Sequence, residues 1–141
     1  MRSGTLHRRV WLVAAVTVSV FLSSASSGAA DGVWSSHGPF GGTTYTLALD
    51  PQTPSIVYAG TYRGGVFKST DAGANWMAIN TGLANRWVTA LQVDPSAPSI
   101  LYAGTYDGGV FKSVDSGSSW SASSTGMKDL HVSALAIDPS T

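Results

Sequence analysis

The sequence predicts an all-β protein built from repeated four-stranded antiparallel sheets, and three observations lead to this class. The chain of 141 residues contains 16 Gly and six Pro but only 11% charged residues, a composition typical of turn-rich β proteins. From residue 51 onwards, a segment of 44 residues occurs twice without a gap. Within each segment, short β-branched and aromatic runs alternate with Gly- and Pro-containing turns, and no stretch of about ten residues has helical periodicity.

The first thirty residues have the three-part layout of a secretory signal peptide. A basic start is followed by an apolar run over residues 10–22 and a small-residue stretch over residues 23–30. This layout predicts cleavage after Ala30 and a secreted, periplasmic or extracellular protein with no stable membrane anchor. An uncleaved anchor is the alternative, but the run is shorter than the about 20 residues that cross a bilayer. Arg8 and Arg9 resemble part of a twin-arginine signal, which leaves the export route open.

The remainder of the chain is dominated by the repeat. The copies 51–94 and 95–138 are identical at 25 of their 44 positions. Repeats of this length with four antiparallel strands each are typical of β-propeller blades, and a stacked solenoid is the alternative. The strands predicted around the second copy cover residues 88–93, 100–105 and 110–114 and a short run that starts at Trp120.

Residues 31–141 are therefore predicted to form a partial β-propeller. Trp34 matches the tryptophans that begin the last strand of each repeat, so residues 31–50 are expected to contain a closing strand. The sequence ends after a third Asp-Pro pair, in the middle of a blade. Since a propeller has at least four blades, missing blades or self-association are needed to close the fold. A truncated sequence and an oligomer are the two alternatives.

One turn in each repeat carries the pattern Ser-x-Asp-x-Gly-x-x-Trp. This pattern resembles the Asp box, or BNR repeat, of the β-propellers found in sialidases, sortilin-like receptors and xyloglucan-cleaving enzymes, and bacterial exported members are the most similar. The resemblance covers nearly all of residues 31–141 and implies a structural role for the turn. The residues that match are Ser69, Asp71, Gly73 and Trp76 in the first repeat and Ser113, Asp115, Gly117 and Trp120 in the second.

The chemistry of this turn leads to the same expectation. Glycine permits a positive φ, and short carboxylate and hydroxyl side chains can bind the backbone of their own turn. A calcium loop needs several oxygen ligands at alternate positions, whereas each turn offers one carboxylate. A carboxylate that recurs in every blade is also not expected to be a catalytic residue.

Function is expected on the edge of the blades where the two repeats differ. In a four-stranded meander, the turns after strands one and three share one edge, which is nearly the same in both repeats. The turn after strand two and the link to the next blade share the other edge, which carries the substitutions. Such variation predicts recognition, with drift at exposed loop tips as the alternative. The candidate binding residues are Arg63, Arg86, Trp87, Asp107, Lys128, Asp129 and His131.

Composition restricts the chemistry that the chain can perform. It contains no Cys and no Glu, which excludes disulfides, thiol catalysis and Glu-based catalysis by its own residues. Residues 31–141 carry five basic residues against eight Asp, so nucleic acid is not an expected partner. His37 and His131 lack further ligands at metal-binding spacing, and no metal or cofactor is predicted.

Two functions remain after these exclusions. The first is an exported, non-catalytic binding or scaffolding module for an unknown protein or polysaccharide partner. The alternative is part of a glycoside hydrolase of the xyloglucanase or sialidase type. Sialidases use an arginine triad and a Tyr–Glu pair, which this chain lacks, and the variable edge offers only Asp107 and Asp129 as carboxylates. We therefore expect no catalytic residue in this chain.

Overall fold

The computed structural model describes residues 38–40 and 42–139, which contain eight β-strands and no helix. The predicted signal peptide and Trp34 lie outside these residues. The predicted all-β architecture of four-stranded blades is confirmed. The first sheet contains β1 (Thr44–Leu49), β2 (Val57–Thr61), β3 (Gly65–Ser69) and β4 (Met77–Ala78), and the second contains β5 (Val88–Val93), β6 (Leu101–Thr105), β7 (Val110–Ser113) and β8 (Ser121–Ala122).

Both sheets are antiparallel meanders in which each strand pairs with its neighbour in sequence. Their registers repeat, since Ala59 pairs with Phe67 in the first sheet and Ala103 pairs with Phe111 in the second. The second sheet is therefore a structural copy of the first, displaced by the length of the sequence repeat. Within the region that the structure covers, no helix suited to crossing a membrane is present.

The first strand of each sheet contains a β-bulge at the same position of the repeat. The pairing of β1 with β2 skips Tyr45, and the pairing of β5 with β6 skips Thr89. A bulge bends the strand and redirects a side chain. The Thr89 hydroxyl donates to the Gly104 carbonyl at 3.1 Å and also contacts the Val132 carbonyl. The bulge thus connects the second sheet to the segment that follows β8.

The hydrophobic core lies between the two sheets. Tyr58 and Val66 of the first sheet are almost completely buried, as are Leu91 and Leu101 of the second. Trp120 fills the same layer, and its indole nitrogen donates to the backbone carbonyl of Ile79 at 2.7 Å. Burial of apolar surface at this joint, rather than within either sheet, provides the main apolar contribution to stability.

The two sheets differ in how far this burial extends. Leu47 of β1 is 50% exposed, whereas Leu91, its equivalent in β5, is 2% exposed. The difference arises because the first sheet covers Leu91, while no described residue covers Leu47. At the other end, Val132, in the segment after β8, packs over Gly104, and Leu135 lies beside Tyr102. Residues 131–138 form no strand and have no described partner strand.

Candidate functional site

Each sheet has two ends at which its turns lie. We call these ends edges, and the two edges differ chemically. At the first, the turn after β3 binds the turn after β1, because the amide of Ala72 donates to the Ser55 carbonyl at 2.9 Å. We call this the constant edge. At the other, the turn after β2 binds the link between the sheets, because the amide of Gly65 donates to the Arg86 carbonyl at 2.9 Å. This edge, formed by residues 62–64, 79–87, 106–109 and 123–131, is called the variable edge.

The constant edge is organised by the Ser-x-Asp-x-Gly-x-x-Trp turns. The Ser69 hydroxyl donates to Asp71 Oδ1 at 2.8 Å and accepts the Gly73 amide at 2.8 Å. The same carboxylate accepts the backbone amide of Asn75 at 2.8 Å and its side-chain amide at 2.6 Å. Gly73 has a φ of 92°, a conformation in which a side chain would be strained. The carboxylate is thus engaged in holding its own turn.

The second turn repeats these contacts. The Ser113 hydroxyl donates to Asp115 Oδ1 at 2.7 Å, and Asp115 accepts the amide of Ser119 at 2.9 Å and its hydroxyl at 2.6 Å. Gly117 has a φ of 88°. Among the described residues, no group of three His, Cys, Asp or Glu side chains is arranged to hold a metal ion. The contacts of both carboxylates are those of turn-forming residues.

These hydrogen bonds stabilise the charged form of both carboxylates and therefore lower their pKa values. The side-chain amide of Asn75 is the main cause that lowers the pKa of Asp71 from 3.8 to about 2, and the Ser119 hydroxyl does the same for the pKa of Asp115. A lowered folded-state pKa contributes stability that is complete above pH 3.8 and disappears as the pH falls through about 2.

We therefore expect the Asp71→Asn/Asp115→Asn double variant to be less stable than the parent chain near neutral pH and to approach it below pH 3. The measurement is urea denaturation followed by circular dichroism at a series of pH values. The Asp107→Asn variant is the matched control, because Asp107 is exposed on the opposite edge. A stability difference that stays constant down to pH 2 would contradict the role of the two carboxylates.

A row of five aromatic side chains crosses the variable edge. The ring centroids of Tyr45 and Tyr62 are 6.2 Å apart, and those of Tyr62 and Trp87 are 4.7 Å apart, both in edge-to-face geometry. Trp87 stacks on Tyr106 with centroids 3.9 Å apart and planes within 11°. Tyr106 meets His131 edge-to-face at 4.3 Å. The aromatic row therefore runs from the first sheet across the second to the link that follows β8.

Local structure explains why these residues meet. Tyr45 is the bulge residue of β1, while Tyr62 and Tyr106 directly follow the second strands of their sheets. The side chain of Asn85 accepts the backbone amide of Trp87 at 2.9 Å, in an Asx turn that precedes β5. Each blade thus adds one ring after its second strand and one at the start of its first strand, where Tyr45 lies inside β1 and Trp87 directly precedes β5.

The second repeat contains an equivalent turn, in which an Asp takes the place of the Asn. Asp129 Oδ1 accepts the backbone amide of His131 at 2.9 Å, as Asn85 does for Trp87. Tyr45 and His131 at the two ends of the row are exposed, and the three rings between them are half-buried. The row is therefore accessible along its whole length.

The other predicted binding residues surround this row. Arg63 is exposed, has a φ of 67°, and its guanidinium carbon lies 4.8 Å from the centroid of the Tyr62 ring. Arg86 is exposed next to Trp87, and Asp107 is exposed next to Tyr106. Lys128 is exposed on the link after β8. Two of the seven candidates, Trp87 and His131, belong to the row itself.

Sequence reasoning missed three members of the row. Tyr62 and Tyr106 are identical in the two repeats, so a search for residues that differ between the repeats does not select them. Their position next to the variable residues 63 and 107 was the signal that could have found them. Tyr45 has Thr89 at the equivalent position, but it lies inside a strand, where the sequence gives no sign of a bulge.

Comparison with known proteins identifies solved structures that share the fold of this chain. No family model matches the chain, and no curated protein matches it. The similar solved structures include GH74 enzymes. An ancestral GH74 enzyme is 32% identical over 65% of this chain, with a TM-score of 0.53. The GH74 enzyme of Niastella koreensis is 28% identical over 62%, with a TM-score of 0.47, and the GH74 xyloglucanase of Xanthomonas campestris is 21% identical over 59%, with a TM-score of 0.50.

The chain spans only 12% to 16% of the length of these proteins. Together with the two antiparallel four-stranded sheets, the similarity assigns the described residues to an incomplete β-propeller.

Proposed function

We propose that the variable edge binds a polysaccharide and that this chain forms a non-catalytic, glycan-binding part of an exported Asp-box β-propeller. The observation that carries the proposal is the aromatic row. An uninterrupted series of accessible rings, with charged and polar side chains beside it, is a surface suited to an extended chain of sugars. The apolar faces and edges of the rings pack against sugar C–H groups, while the flanking polar groups bind hydroxyls.

The similarity to GH74 enzymes supports a carbohydrate over a protein partner. The ancestral GH74 enzyme is the relative on which this argument depends, since its identity is 32% and its TM-score 0.53. One of the other similar structures is named as a xyloglucanase, which makes xyloglucan the first polysaccharide to test. A polysaccharide ligand also agrees with the export that residues 1–30 predict.

The same similarity favours a second candidate function, a part of a glycoside hydrolase. Such enzymes use two carboxyl groups that flank the scissile bond. The described part of the variable edge carries Asp107 and Asp129, and one oxygen of Asp129 already accepts the His131 amide. The absence of Glu from the sequence leaves few other groups for this role. Binding without cleavage is therefore the better-supported function.

We expect the full chain to be retarded during native electrophoresis in gels that contain xyloglucan. The Tyr62→Ala/Tyr106→Ala double variant should lose most of this retardation, because it removes two rings from the middle of the row. The Thr70→Ala variant is the control, since Thr70 is exposed on the constant edge. Circular dichroism of each variant verifies that the fold is kept. Equal retardation of the parent and the double variant would refute the role of the row.

A reducing-end assay on the same samples distinguishes the two functions. If the chain binds without cleaving, no reducing ends accumulate above those of a reaction without protein. Release of reducing ends by the parent chain and its loss in the Asp107→Asn variant would instead establish the hydrolase.

A further inference from the structure

The two repeats present oppositely charged residues on the same framework at the variable edge. Arg63 of the first repeat corresponds to Asp107 of the second, and Arg86 corresponds to Leu130. Asn85, whose side chain supports the turn before Trp87, corresponds to Asp129, which supports the turn before His131. The aromatic row thus passes from two arginines in the first repeat to two aspartates and Lys128 in the second.

The two arginines of the first blade flank one pair of rings. Arg63 follows Tyr62 directly, and Arg86 precedes Trp87, whose ring centroid is 4.7 Å from that of Tyr62. The backbone of the two turns is joined as well, because the Arg86 carbonyl accepts the Gly65 amide at 2.9 Å. The Arg63 guanidinium is therefore held over the Tyr62 ring, and Arg86 supplies a second, exposed positive charge on the residue before Trp87.

Arg63 has a left-handed backbone conformation in its turn, and its side chain lies against a ring. Its φ of 67° lies in the left-handed region, which is unfavourable for a residue with a side chain. The guanidinium lies 4.8 Å from the centroid of the Tyr62 ring, within the range of a cation–π contact. Within the described residues, neither Arg63 nor Arg86 forms an ion pair with a carboxylate. Their charges are available to an external anion.

We propose that the Arg63–Tyr62–Trp87–Arg86 site binds an acidic sugar, a uronate residue of a polysaccharide chain. The inference rests on the proposed glycan-binding function and specifies the class of sugar at one position along the row. The rings receive the C–H groups of the sugar, and a guanidinium presents parallel N–H donors to its carboxylate. A carboxylate bound in this way is recognised by geometry as well as by charge.

The corresponding site in the second blade rejects the same sugar. Asp107 and Asp129 stand where the first blade has Arg63 and Asn85, and their carboxylates repel an anion. The chain therefore binds an acidic polysaccharide in a register that places its uronate at the first blade.

The test compares three probes of equal length on the full chain by isothermal titration calorimetry: an oligogalacturonide, a neutral xyloglucan oligosaccharide and an oligo-aspartate peptide. At low salt, the oligogalacturonide is expected to bind about 3- to 10-fold more tightly than the neutral oligosaccharide, as two exposed charge pairs allow. Raising the salt to about 0.5 M should reduce this preference.

The Arg63→Asn/Arg86→Leu double variant is expected to lose the preference, so that it binds the acidic and the neutral oligosaccharide with similar affinity. Asn tolerates a positive φ at position 63, and Leu is the residue that the second repeat has in place of Arg86. The Lys112→Ala variant is the matched control, because it removes one positive charge from β7, outside the variable edge, and it should retain the preference.

Each remaining outcome contradicts the inference in an identifiable way. Equal affinity for the neutral and acidic oligosaccharides, or a preference that survives in the double variant, overturns the uronate site and leaves the glycan-binding function intact. Equal binding of the oligo-aspartate peptide overturns the assignment to a sugar. Failure to bind either oligosaccharide overturns both proposals.

Discussion

Replacing Trp120 with alanine is expected to reduce the free energy of unfolding by about 3–5 kcal/mol, the range for truncating a large buried aromatic side chain. Trp120 is 4% exposed and packs in the joint between the two sheets. Its indole nitrogen donates to the Ile79 carbonyl at 2.7 Å, and its backbone amide donates to the Thr81 carbonyl at 2.9 Å. The substitution opens a cavity and leaves the Ile79 carbonyl without its partner.

The repeat provides a matched control at the equivalent position. Trp76 is half-buried, since it has no described neighbouring sheet in the place where Trp120 meets the first sheet. The Trp76→Ala variant is therefore expected to cost less than half as much as Trp120→Ala. Urea denaturation of both variants, monitored by circular dichroism, measures the difference. Equal losses would show that the stability of these turns is local and that the joint contributes little.

A Trp120→Phe variant separates the hydrogen bond from the packing. Phenylalanine retains most of the apolar contact but has no N–H group, so the buried Ile79 carbonyl loses its donor. The expected cost is about 1–3 kcal/mol, the penalty for an unsatisfied buried polar group. A loss as large as that of Trp120→Ala would assign the whole effect to the hydrogen bond.

The blades were predictable from the sequence because their signals are local. The run Val88–Val93 alternates in polarity and ends at an Asp-Pro turn, and the structure has β5 over the same residues. The ends of the strands were predicted less accurately, since the strand predicted over residues 110–114 ends at Ser113 in the structure. Val114 is the first residue of the next turn and is exposed. Periodicity and turn residues identify a strand but not its last residue.

The aromatic row was less predictable because its contacts are tertiary. Tyr62 and Trp87 are 25 residues apart in sequence and meet only because the link from β4 to β5 returns to the edge where β2 ends. Comparing the repeats identified the residues that change and overlooked the tyrosines that do not. The framework and the binding surface share residues here, so variation alone is an incomplete guide to function.

The charged residues at the variable edge, unlike the aromatic row, could be identified from the sequence. Arg63 and Asp107 are distinguishable in the sequence alone, and their equivalence follows from the gap-free repeat. The sequence alone does not show that the Arg63 guanidinium lies over the Tyr62 ring. The cation–π contact of Arg63 with Tyr62 depends on the left-handed turn, which the following Gly64 and Gly65 do not by themselves specify. Specificity on this edge is therefore readable only after the backbone is known.

Replacing Gly82 with alanine is expected to cost about 3 kcal/mol or more, which combines backbone strain with a steric clash. Gly82 has a φ of 82°, and a Cβ atom added there would lie 2.2 Å from the backbone carbonyl oxygen of Trp120. This oxygen belongs to the residue that precedes β8, so relieving the clash requires the link that carries Gly82 to move away from the second sheet. The substitution therefore acts on the same joint as Trp120→Ala, but from the other side.

Gly126 is the equivalent residue in the second repeat and serves as the control. Its φ is 87°, but an added Cβ would meet no described atom within 4 Å. The Gly126→Ala variant should therefore show only the strain of the left-handed conformation, about 1–2 kcal/mol. The difference between the two variants, measured by urea denaturation, isolates the close approach of the sheets from the backbone preference of glycine. If both variants lose the same stability, the sheets are free to separate at Gly82 without cost, and the joint is looser than its geometry indicates.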